Sequence, residues 1–122
     1  MTPDEFRRLA LKMHGAIEGA HMGHPDFRAN GRIFATLYPD GKSGMVKLTA
    51  DQQQDFMNVD PAAFTPASGA WGRQGCTTVQ LNLVAEDRLG EAMTLAWQNT
   101  VKIVAKAKTR RAGESTKRPR RR

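Results

Sequence analysis

The chain has 122 residues, enough for one domain with a modest core, and its hydrophobic share of 39% lies above that of a disordered chain. The net charge of +7 is unevenly placed: residues 1–100 carry nine Lys/Arg against eleven Asp/Glu, whereas residues 101–122 carry ten against one. No apolar run reaches the ~20 residues of a membrane helix, Met1-Thr2-Pro3-Asp4-Glu5 has no leader character, and the single Cys76 excludes an intrachain disulfide, so a soluble cytoplasmic protein is expected.

Thr2-Pro3-Asp4-Glu5 reads as a helix start, with a capping hydroxyl, proline in the first turn and acids at the positive end of the dipole. Phe6, Leu9, Ala10, Met13 and Ile17 fall at helical spacing, and glycines end this helix between Gly15 and Gly19. His24-Pro25-Asp26 reads as a turn, and Phe27 to Asn30 as a short strand. Asn30-Gly31 is a strong hairpin signal. Arg32 to Tyr38 is the next strand. Plain alternation puts Ile33, Ala35 and Leu37 on one face and Arg32, Phe34, Thr36 and Tyr38 on the other. Pro39-Asp40-Gly41 turns the chain into a third strand, Gly44 to Thr49.

Thr49, with Gln52 three residues on, starts a second helix that Asp60-Pro61 stops. Ala62 to Ala70 reads as a loop or irregular edge segment, with Phe64 and Trp71 as its anchors, and Gly72-Arg73-Gln74-Gly75 as a turn. Cys76 to Val84 alternates as a strand, with Thr77, Val79, Leu81 and Leu83 on one face. Leu89, Ala92, Met93, Ala96, Trp97, Val101 and Val104 form the apolar stripe of a last helix that fades near Ala107. The expected organisation is a domain over residues 1–107 and a disordered basic tail over 108–122. The fold class is α+β, a two-layer antiparallel sheet with packed helices in the order α-β-β-β-α-β(β)-α.

The pieces His21-Met22-Gly23-His24-Pro25-Asp26-Phe27-Arg28, Gly31-Arg32-Ile33-Phe34-Ala35-Thr36-Leu37, Val46-Lys47-Leu48-Thr49, Trp71-Gly72-Arg73-Gln74-Gly75 and Ala96-Trp97 resemble the MmcQ/YjbR family of small bacterial proteins. They run in family order from about residue 2 to about residue 100. The resemblance implies a two-layer arrangement similar to secretion chaperones and DNA binding through a "double wing". Cys76 departs from it, standing where the family commonly has an aromatic residue.

Four sets of residues carry possible chemistry. Arg28, Arg32, Lys42, Lys47 and Arg73 are candidate phosphate contacts, with Phe34, Tyr38 and Trp71 as candidate stacking groups; the alternative is a solvated sheet face with Phe34 in a small core. In the tail from Lys102 onward, Lys117, Arg118, Arg120, Arg121 and Arg122 suit non-specific binding to DNA or RNA, or a merely solubilising role. His21, His24 and Asp26 are weak candidates for a metal, the alternative being side chains bonded to backbone groups near the strand. Cys76 reads as a small buried hydrophobe rather than a reactive thiol.

No cofactor and no catalytic residue are expected. The leading expectation is a non-enzymatic DNA-binding protein with a basic tail. A protein-interaction module of the chaperone kind is the alternative, and a metal-assisted or small-molecule enzyme a more distant one.

Overall fold

The computed structural model describes the backbone of residues 1–113 and the side chains of residues 1–101. Helix α1 spans Pro3–Leu11, with Thr2 and Glu5 forming a reciprocal capping box: the Glu5 backbone N–H donates to Thr2 Oγ1 at 3.1 Å, and the Thr2 N–H donates to Glu5 Oε1 at 2.8 Å. The helix ends earlier than its apolar spacing suggested. Gly15 takes a left-handed φ of 72°, and Ile17, expected on the helix face, instead begins strand β1 (Ile17–His21) and is 63% exposed.

Strand β2 (His24–Ala29) follows at once. The connecting residues Met22 and Gly23 have φ of 51° and 81°, the two positive values of a tight type I′ hairpin. His24-Pro25-Asp26 is therefore strand rather than turn. Asn30 and Gly31, with φ of 54° and 74°, make the second hairpin as expected and lead into β3 (Arg32–Leu37). Strand β4 is Ser43–Lys47 and helix α2 is Ala50–Val59, again with a capping box, from Thr49 and Gln52. The expected loop holds a short strand, β5 (Phe64–Pro66), and the expected turn is the end of a short helix, α3 (Gly69–Arg73). Strand β6 is Cys76–Gln80, shorter than its alternation implied; Leu83 lies beyond it and is 54% exposed. Helix α4 runs Glu86–Gly113, past Ala107, where its apolar stripe gives out. Residues 114–122 of the expected tail lie outside the described residues.

Among the described residues the six strands form one antiparallel sheet in the order β1-β2-β3-β4-β6-β5. Helices α1 and α4 pack across its centre and α2 against β5 and β6, all on one face. Phe6, Phe27, Phe34, Val46, Val79, Leu89 and Met93 are fully buried there, and Phe56 meets Phe64 at 5.0 Å between ring centroids. The fold is α+β, with more strands than were legible but the same order of helices and sheet.

One irregularity decides which side chains face where. Phe27 pairs with Ala35, but the next residue, Arg28, pairs with Ile33. Phe34 is thus the extra residue of a β-bulge, and alternation is broken at that point. Phe34 joins Ala35 in the core, at 0% exposure, and Ile33 turns to the opposite face. Phe34 is therefore not a stacking candidate.

Candidate functional site

The face of the sheet away from the long helices is open. Side chains of cross-strand partners share a face, so the pairing places three rows across it. The middle row runs through Gly19, Asp26, Thr36, Met45, Thr78 and Thr65, one residue from each strand. On one side lie Ile17, Arg28 and Ile33, with Lys47 and Cys76 continuing the row. On the other lie His21 and His24, with Tyr38 edge-on to His24 at 6.2 Å between centroids.

Asp26 is fully buried and yet charged, because its two oxygens are held by neighbours. Arg28 donates from Nε to Oδ1 at 2.7 Å and from Nη2 to Oδ2 at 3.0 Å, and His21 Nδ1 lies 2.7 Å from Oδ2. The Arg28 guanidinium holds the Asp26 carboxyl below the usual carboxylate range, with His21 adding to the effect against the opposing pull of burial, and the pairing raises Arg28 in turn. Gly19 makes this geometry possible: a Cβ there would stand 3.0 Å from Asp26 Oδ1 and 3.3 Å from Arg28 Nε. Beside Asp26 in the row, Thr36 is 3% exposed, and its hydroxyl has no hydrogen-bond partner among the described residues.

Trp71 overhangs the face from α3 and is 63% exposed, so it is not the core anchor expected. Its position is set by the residues around it. Gly72 lies against the preceding segment so tightly that a Cβ would come within 1.9 Å of the Ala67 carbonyl oxygen. From behind, the buried Gln53 side chain donates to the carbonyls of both Gly72 and Cys76 at 3.0 Å, tying α3 and β6 to α2. Lys47 Nζ sits 5.8 Å from the Trp71 ring centroid, within range of a cation–π contact.

These side chains outline two hollows that share Ile33, Lys47, Trp71 and Cys76. The first, about 770 Å³, also takes in Arg28, Arg32, Gln74 and Asn99. The second, about 680 Å³, takes in His21, His24, Thr36, Tyr38, Met45 and Thr78. Among the described residues no carboxylate lines either hollow.

The sequence candidates therefore divide. Arg28, Lys47, Tyr38 and Trp71 come together along the open face, whereas Arg32, the cross-strand partner of the core residue Ala29, starts β3 on the helix side and lines only the first hollow. Lys42 sits at the tip of the β3–β4 hairpin, where its backbone N–H donates to Asp40 at 2.8 Å, and it lines neither hollow. Arg73 is exposed on α3 and also lines neither. Lys117, Arg118, Arg120, Arg121 and Arg122 lie outside the described residues. His21, His24 and Asp26 do gather, with the two imidazoles stacked at 5.8 Å. Both Asp26 oxygens are engaged by Arg28 and His21, however, and no group of three His, Cys, Asp or Glu among the described residues is placed to hold a metal ion. Alternation placed Thr36 on the outward face with Tyr38, where it is found, but put Ile33 on the opposite face, because the bulge at Phe34 shifts the register between the two; the i, i+2 spacing of His24, Asp26 and Arg28 puts those three on one side of β2.

Residues 11–99 match the YjbR family model. The chain belongs to the YjbR family. In this YjbR-family chain the match spans all six strands, Trp71 and much of the described part of α4. Among solved structures, the fold is similar to that of Deinococcus radiodurans protein DR2400, which carries the DUF419 domain, with a TM-score of 0.66 at 18% identity over 86% of this chain and 79% of that one. A search of the curated proteins finds no match. No described helix is long and apolar enough to cross a membrane. Cys76 is 7% exposed; burial pushes its thiol up, with Lys47 opposing.

Proposed function

We propose that this chain is a non-enzymatic DNA-binding protein that uses the open face of its sheet, assisted by the basic residues near its C-terminus. One observation carries the reading. Residues 1–100 hold more acids than bases, yet the two hollows gather Arg28, Arg32 and Lys47 with exposed Trp71, and among the described residues no carboxylate lines them. The buried Asp26 offsets Arg28, so Arg32 and Lys47 supply the net positive charge that a polyanion requires.

The test is binding of fluorescent DNA by the full chain across a salt series. Affinity falls steeply with salt, because each phosphate contact releases counterions. Lys47→Glu with Arg32→Glu weakens binding and flattens the salt dependence. Replacing Lys117, Arg118, Arg120, Arg121 and Arg122 by serine weakens it further and independently. Absence of binding at about 50 mM salt would reject the proposal.

A second reading has its own observation. Strand β1 is a free sheet edge carrying exposed Ile17, open to pairing with a strand of a partner protein. A stable dimer or heterocomplex that survives high salt and is lost on Gly19→Pro would favour it.

A further inference from the structure

We infer that the hollow over Thr36 receives an unpaired base, so that the preferred ligand is single-stranded rather than duplex nucleic acid. This rests on the reading that the open face binds nucleic acid, and it specifies which form. Width is the first reason. Six strands at a spacing of ~4.8 Å make a face about 24 Å across, roughly twice the ~12 Å major groove of duplex DNA. The face cannot enter that groove, and its recessed groups can meet a base only if the base leaves the stack.

The chemistry of the hollow is the second reason. Tyr38, His24 and Trp71 offer π surfaces, and Met45 and Ile33 offer apolar contact, all of which suit the flat face of a base. The Thr36 hydroxyl, buried and without a partner among the described residues, matches the donors and acceptors at a base edge. A ligand that pairs it gains what an apolar ligand would not. The volume of about 680 Å³ is within the range of pockets that enclose small organic groups.

Charge is the third reason. Lys47 lies at the junction of the two hollows, with Arg28 and Arg32 in the adjoining one. A strand whose base occupies the first site would carry its next phosphates over these cations. Among the described residues no carboxylate lines either hollow, which favours a polyanion over a basic peptide.

The experiment uses the full chain and three DNA probes at one salt concentration: a thymidine 12-mer, an abasic 12-mer with the same phosphates, and a 12-base-pair duplex. The thymidine strand should bind roughly 10-fold more tightly than either of the others, the worth of stacking one base. Tyr38→Ala with Trp71→Ala should reduce the thymidine-to-abasic affinity ratio from roughly 10 to about 1. Thr36→Val, which keeps the shape and removes the hydroxyl, should lower the same ratio, and an unchanged ratio would count against a base at this site. Equal binding of the thymidine and abasic strands, or tighter binding of the duplex, would overturn the inference and leave DNA binding by the open face intact. Failure to bind any of the three would reject both.

Discussion

Replacing Asp26 by asparagine isolates the electrostatic centre of the open face. The substitution keeps the shape of a fully buried side chain and removes its charge. Three charge-assisted bonds, at 2.7, 2.7 and 3.0 Å, are lost or weakened, and the new amide nitrogen faces a donor. Breaking a wholly buried pair costs about 3–5 kcal/mol. Here the Arg28 and His21 side chains are 40% and 43% exposed and recover water, so the expected loss is nearer ~2 kcal/mol. For a domain of this size that lowers Tm by about 8 °C. The effect depends on pH in a definite direction. The folded state holds the Asp26 carboxyl below its ordinary value of 3.8, so its contribution is present in full above that pH and is lost as pH falls through the depressed folded value. Urea denaturation of both proteins from neutral pH down into the acid range should show a gap near neutrality that narrows below pH 3.8. A variant as stable as the parent at pH 7, or a gap that stays constant into acid, would refute the reasoning.

Two further perturbations probe how the face is assembled. Gly72→Ala forces a Cβ to within 1.9 Å of the Ala67 carbonyl, a backbone atom that cannot step aside, and should cost more than about 2 kcal/mol and shift the fluorescence of neighbouring Trp71; an unchanged denaturation midpoint would count against the tight packing of α3. The Cys76 thiol, buried and pushed up, should react slowly with a disulfide reagent at pH 8 and promptly once urea unfolds the chain, whereas fast native labelling would mean that the hollow is open to its floor.

Local signals were legible where one short stretch suffices to specify a conformation. The capping residues Thr2 and Thr49 start helices because their hydroxyls satisfy nearby backbone N–H groups. Asn30-Gly31 turns because both residues tolerate positive φ. The spacing of Leu89, Ala92, Met93 and Ala96 needs only a helix and an apolar surface to pack on, and all four are buried. Met22-Gly23 makes the same kind of turn, but methionine is an uncommon choice for that conformation, so β1 and the strand character of His24-Pro25-Asp26 went unread.

The sequence by itself determined an α+β chain of the YjbR family, the starts of its first two helices, one tight hairpin, and a charge imbalance that isolates the basic C-terminal residues from a slightly acidic body. The tertiary structure decided what the open face contains. The bulge at Phe34 reverses alternation within a single strand, burying an aromatic residue expected outside and turning Ile33, half-buried, to the open face in its place. Trp71 went the other way, from expected anchor to overhang, because Gly72 and Gln53 fix α3 at the rim. A bulge and a close approach depend on partners far along the chain, and a period of two read within one segment carries no information about them.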